Sequence, residues 1–158
     1  MAGVSKPGIY REFGDEDGLM HAVLERYNKK ILGPMLSFLS LDVSFHETLQ
    51  NLALHSTSED ESFEMPKGCL FANMKESRLS LGESTIEQID KTYQSVIKAF
   101  EQWVDEAKEK GEFKMTDMDS RFAAVYIYAQ ISFAQSQMMK GETSKDVRAI
   151  LQVALSVL

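Results

Sequence analysis

The spacing of Lys6, Gly8, Tyr10 and Arg11 puts small, basic and aromatic groups on the outer side of a short helix. Ile9 and Phe13, four apart, point the other way into a core. Such a set suits the major groove of duplex DNA, where a helix must approach closely and neutralise phosphates. Gly3 fits the left-handed position just past a preceding helix, and Val4 plugs the angle between two helices. Ser5 caps the next helix, and Pro7 falls in its first turn, where a missing N–H costs nothing. Together these residues read as a turn and a short helix, the second half of a helix-turn-helix.

Other reactive side chains are sparse. Cys69 sits where a helix begins, beside Lys67, and both features favour the reactive thiolate; a small buried packing residue is the simpler alternative. His21, His46 and His55 are too far apart for a metal signature, and no HExxH or CxxC occurs. The run Glu59-Asp60-Glu61 with Glu64 lacks the alternating oxygen ligands and turn glycine of a calcium loop, so it reads as a solvated loop. His21 and Glu25 form an i, i+4 surface pair. With no phosphate-binding glycine loop and no nucleophile motif, the sequence carries no argument for catalysis and implies no cofactor.

These groups sit in a chain of 158 residues, 44% hydrophobic and 26% charged, enough for a well-buried core. The net charge of −7 opposes a nucleic-acid partner until it is divided along the chain. Residues 1–30 hold five basic and five acidic groups, while the rest hold twelve against nineteen, so the acidity belongs to the part remote from the basic helix. No apolar run reaches the ~18 to 20 residues of a membrane span, and the start lacks the basic-then-apolar order of a secretory signal. A single cysteine fits a reducing compartment, and the expected location is the cytoplasm.

Apolar residues recur at three-and-four spacing, and only three prolines interrupt them, which predicts an all-α fold. After Asp15 as N-cap, Leu19, Val23, Tyr27 and Ile31 form a stripe that Gly33-Pro34 should kink or end. Ser44 with Glu47 forms a capping box before Phe45, Leu49 and Leu52. Pro66-Lys67-Gly68 opens a helix bearing Leu70, Met74, Ser77 and Leu81, with Gly82 at its end. A second capping box, Ser84 with Glu87, precedes the longest stripe, Ile86 to Ala107, which Gly111 closes. From Phe122 to Met139 apolar residues encircle the helix, and the last helix carries Val147 to Leu158 on one face with Val153 and Val157 off it. A helix apolar all round must be covered all round. Residues 119–158 are therefore expected to pair with a second copy, and Ala124, Ile127, Ile131, Ala134, Met138, Val147, Ile150, Leu151, Ala154 and Leu158 are the expected interface.

The order Ala2-Gly3-Val4-Ser5, then Ile9-Tyr10 and Phe13, then a capped helix opening with acidic residues and Leu19, resembles the DNA-binding domain of the tetracycline-repressor (TetR) family of bacterial regulators. Pro66-Lys67-Gly68-Cys69-Leu70 and Gly111-Glu112-Phe113 look like helix openings and turns in the regulatory domains of that family. The resemblance implies that Ser5, Lys6, Pro7, Gly8, Tyr10 and Arg11 face DNA, with Lys6 and Tyr10 on phosphates and Arg11 on a guanine edge. It implies a ligand cavity among the central helices, near Phe45, Leu49, Leu52, Cys69, Leu70, Asn73 and Met74 on one side and Tyr93, Phe100, Trp103, Phe122, Tyr126 and Gln130 on the other. Family members place two further helices before this point. The chain is accordingly expected to be a member lacking them, in which Val4, Ile9, Phe13, Leu19 and Val23 lose their cover.

The expected organisation is a partial helix-turn-helix with its connecting helix over residues 1–32 and an all-helical ligand-binding and dimerisation domain over residues 33–158. The expected function is a homodimeric, ligand-responsive repressor whose partners are a double-stranded DNA operator, in the longer protein, and a small-molecule inducer of unknown identity, with no membrane. The alternatives are a dimeric helical small-molecule binder without DNA activity and a helical-bundle enzyme using Tyr93, Tyr126 or Cys69.

Overall fold

The computed structural model describes residues 6–40, 42–58 and 70–158, except for the side chains of Lys6, Pro7, Ile9 and Ser40. Ser5 and Cys69 lie outside the described residues. The described residues contain helices and no strand: α1 (Lys6–Phe13), α2 (Glu16–Tyr27), α3 (Gly33–Ser37), α4 (Phe45–Ser56), α5 (Leu70–Glu76), α6 (Glu83–Glu109), α7 (Ser120–Met139) and α8 (Ser144–Leu155). No described helix is long and apolar enough to cross a membrane.

Local signals set most helix ends. The Asp15 carboxylate accepts the Gly18 N–H at 2.8 Å at the start of α2, and the Ser44 hydroxyl accepts from Glu47 N–H at 3.2 Å at the start of α4. Asp119 and Thr143 cap α7 and α8 in the same way. Gly111 closes α6 with a φ of +72°, a conformation that only glycine adopts freely.

Two boundaries differ from the sequence expectation. Gly33-Pro34 does not end the helix begun at Glu16. A π turn (Asn28–Leu32) widens it by a residue, and Pro34 then falls in the first turn of α3, where no N–H is needed. Gly82 does not close α5, which stops at Glu76 and gives way to a 3-10 turn (Arg78–Ser80); Gly82 instead begins α6, so Ser84 lies inside that helix rather than capping it.

Helix α6 is the axis of the molecule, packed against α2, α5 and α7, while α8 rests on α7 and α4. Its stripe of Ile89, Val96, Ile97, Phe100, Val104 and Ala107 is buried, and Phe71, Leu24, Leu52, Ile127 and Leu151 meet it from the surrounding helices. At about 1.5–3 kcal/mol per fully buried large apolar side chain, this single core is the main stabilising term. A polar node on Thr57 ties α4 to α8: Arg148 Nε donates to its hydroxyl at 2.9 Å and Ser144 Oγ to its carbonyl at 2.5 Å.

Candidate nucleic-acid interface

Helices α1 and α2 form the head of the molecule. Gly14, with a φ of +83°, turns the chain between them, and a Cβ on Gly18 would overlap the Phe13 carbonyl, so the two helices pack as closely as backbone allows. On α1, Tyr10 is 41% exposed, Arg11 is exposed and Gly8 is half-buried. Lys6 and Pro7 open the helix. Tyr10 and Arg11 are thus free of the core, as a base-reading or phosphate-binding surface requires. Phe13, Leu19 and Val23 line a broad solvent-open groove of about 1080 Å³ together with Arg26, Lys29 and Lys30, which places apolar surface and cations side by side.

The head is latched to α6 by Asp17, which the sequence reading did not single out. Its carboxylate accepts the N–H groups of Ser84 and Thr85, both at 3.0 Å, and the Thr85 hydroxyl at 2.5 Å. Those two amides are orphan donors at the start of α6, and Gly82 brings no side chain to satisfy them. Asp17 therefore caps a helix 68 residues away in the chain. Bonding from the Thr85 hydroxyl is the main cause that holds the Asp17 carboxyl below its usual 3.8; partial desolvation opposes it, while the two amides and the nearby His21 act in the same sense. His21 Nδ1 lies 3.0 Å from Ser84 Oγ and its Nε2 lies 3.9 Å from Glu25.

Behind the latch, α2 runs through the π turn to the centre of the bundle. Asn28, the first residue of that turn, donates from Nδ2 to Thr92 Oγ1 of α6 at 2.7 Å. Tyr27, Ile31, Leu32 and Met35 then form one wall of an enclosed cavity of about 20 Å³, completed by Phe71, Val96, Phe100, Tyr128, Ile131, Ser132 and Gln135. Of the described residues expected around a ligand, Phe100 alone lines this cavity.

The others are dispersed. Leu49, Leu52 and Met74 are buried core, and Leu70 is packed against it. The rings of Phe45 and Trp103 pack at a tilt, centroids 4.3 Å apart, and border a separate groove of about 290 Å³, where Glu112 accepts the Phe45 N–H at 2.5 Å. Tyr93 lies under the Lys75 ammonium, 3.4 Å from the ring centroid. Asn73 Nδ2 donates to Met139 Sδ at 3.2 Å, Tyr126 donates its hydroxyl to Ala154 O at 2.8 Å, and Gln130 is half-buried. Phe122 corrects the expectation outright: at 60% exposure it lies on the surface, because its position in the first turn of α7 faces away from the bundle.

The expected dimer residues need a similar correction. Ala124, Ile127, Ile131, Ala134, Met138, Val147, Leu151 and Leu158 are buried within the protomer, so they cannot also form a contact surface; Ala154 is half-buried and Ile150 alone is well exposed. The exposed large apolar residues here are Phe122, Val125, Phe133 and Met139 on α7, Ile150 and Val153 on α8, and Val157 just past its end. Ile150, Val153 and Val157 follow i, i+3, i+7 spacing and make a coherent outer stripe. Among the described residues, no three His, Cys, Asp or Glu side chains gather as a metal site.

No protein-family model matches the chain, and no curated protein matches it significantly. Solved structures do. One is a Rhodococcus sp. protein assigned to the TetR family of transcriptional regulators, with a TM-score of 0.72 and 20% identity over 99% of this chain and 81% of that one. Another is a cysteine double mutant of the TetR-family regulator CifR, in a structure containing 26-base-pair operator DNA, with a TM-score of 0.73 and 18% identity over 97% of this chain and 80% of that one. The chain has the all-helical fold of these regulators.

Proposed function

We propose, with that shared fold as the premise, that the chain is the reading and sensing part of a homodimeric transcriptional repressor of the TetR type, which binds an operator through α1 and releases it when a small molecule enters the helical domain. The observation that carries this reading is the head itself: a short helix with exposed Tyr10 and Arg11, set by a glycine turn on α2 and latched through Asp17 to the long central helix. A solved protein of this fold is bound to operator DNA, which supports the same reading. In a two-fold dimer, two such helices enter successive major grooves about 34–36 Å apart. Ligand binding then acts through its different affinity for two arrangements of the head.

The test uses the longest open reading frame that contains these residues. Duplexes enriched from a random pool by the purified protein give the operator, and fluorescence anisotropy gives its affinity. Arg11→Ala is expected to weaken binding by about 1–3 kcal/mol and to relax the preference at one base position. A protein that enriches no sequence, or an Arg11→Ala variant with unchanged affinity and preference, defeats the assignment of α1 as the reader.

A further inference from the structure

Helix α1 packs against α2, which in turn packs against α6 and α5, so the placement of the reading helix is set through α2. Two polar ties run from α2 to α6. Near the start of α2 the Asp17 carboxylate accepts the Ser84 and Thr85 N–H groups, both at 3.0 Å, and the Thr85 hydroxyl at 2.5 Å. Just past the other end of α2, Asn28 Nδ2 donates to Thr92 Oγ1 at 2.7 Å. At about 1.5 Å of rise per helical residue, these ties stand about 16 Å apart along α2 and about 10 Å apart along α6. One tie leaves a rod free to pivot, whereas two fix its direction. The tie at Asp17 is shaped around a carboxylate. Thr85 is fully buried, so water cannot replace the partner of its hydroxyl, and a Cβ on Gly82 would lie 2.2 Å from the Asp17 carboxyl carbon.

We infer that Asp17 is a positioning residue for operator recognition: its bonds to α6 keep α2 from swinging about the Asn28–Thr92 tie, and thereby set the separation of half-sites that the proposed dimer accepts. The inference rests on the repressor reading and adds to it the residue that selects operator spacing. A tilt of about 10° over about 16 Å moves the far end of α2 by about 3 Å, close to the ~3.4 Å rise of one base pair. Asp17 needs no contact with DNA for this. It acts through α2 on α1, where Tyr10 and Arg11 are exposed to read and to bind. Its loss therefore blurs the spacing and leaves the choice of bases within each half-site intact.

The test uses the protein encoded by the longest open reading frame and its enriched operator, with the centre of the operator shortened or lengthened by one or two base pairs. Fluorescence anisotropy gives the affinity for each duplex. The natural protein is expected to prefer one spacing at least tenfold over its neighbours, because each added base pair shifts a half-site along the axis and turns it by about a tenth of a helical turn. Asp17→Asn, which leaves one acceptor oxygen of two, is expected to reduce that preference to about threefold or less, with base preference within a half-site retained. Arg11→Ala is expected to do the opposite, lowering affinity at every spacing alike. If Asp17→Asn does not fold, as judged by circular dichroism, Thr85→Val and Gly82→Ala take its place, and both must flatten the spacing profile.

A profile as sharp in Asp17→Asn as in the natural protein overturns the inference, even where affinity falls uniformly, since a uniform loss is what a merely structural carboxylate would give. A natural protein indifferent to spacing overturns it as well. A protein that enriches no sequence removes the repressor reading, and the inference falls with it. Enrichment with an unaltered profile leaves that reading standing and removes the role of Asp17 alone.

Discussion

Asp17 is a surface carboxylate with an architectural task. Its folded pKa lies below the usual 3.8, so its contribution is present above that value and fades as pH falls through the lower, folded one. Acidification below 3.8 should therefore loosen α2 from α6 before the bundle itself melts. Asp17→Asn should imitate this at neutral pH, because an amide offers one acceptor oxygen where the carboxylate offers two. Hydrogen exchange measures it: the Ser84 and Thr85 amides should exchange faster in the variant while α7 stays protected, and unchanged protection at those two amides would show that the latch contributes nothing. Nothing local marked Asp17 as special. The reading of α2 recognised Asp15, whose partner is three residues away, and passed over Asp17, whose partners are 67 and 68 residues away. Local spacing rules see the first kind of bond and are blind to the second.

At the scale of elements, the same long-range bond explains why the start of α6 was misread. Ser84 with Glu87 has the form of a capping box, yet the helix starts at Glu83 because a side chain from another element satisfies its first amides. Gly82 is small for the same reason, since a Cβ there would overlap the Asp17 carboxyl group. Gly82→Ala should consequently disrupt the latch even though its φ of −73° suits alanine. The matching observation is fast exchange at Ser84 and Thr85 with helicity retained by circular dichroism; normal protection would mean that the site relaxes around the methyl group. The caps at Ser44 and Asp15 and the buried stripe of α6 were legible because the information for each lies within one helix. The Gly33-Pro34 expectation assumed an α-helical register, in which proline clashes with the preceding turn, and the π turn removes that assumption.

At the scale of the whole molecule, the outer faces of α7 and α8 are the candidate surface for the proposed dimer. The encircling apolar pattern of α7 announced two covered sides without saying which was which, and the expectation assigned the core side to the partner. Val153, 71% exposed, and Ile127, fully buried, now separate the two roles. Val153→Glu should weaken a dimer roughly thirtyfold or more with little change in Tm of the protomer fold, as read by analytical ultracentrifugation. Ile127→Ala should instead cost about 2–5 kcal/mol of folding stability through its cavity. A dimer indifferent to Val153→Glu would move the interface elsewhere. The π turn has its own consequence at this scale. An α-helix advances about 100° and 1.5 Å per residue, so an extra residue between the centre of the bundle and the head sets the azimuth at which Tyr10 and Arg11 face outward. The direction in which the head looks is thereby recorded in a count of residues midway along a rod, far from the face proposed to meet DNA.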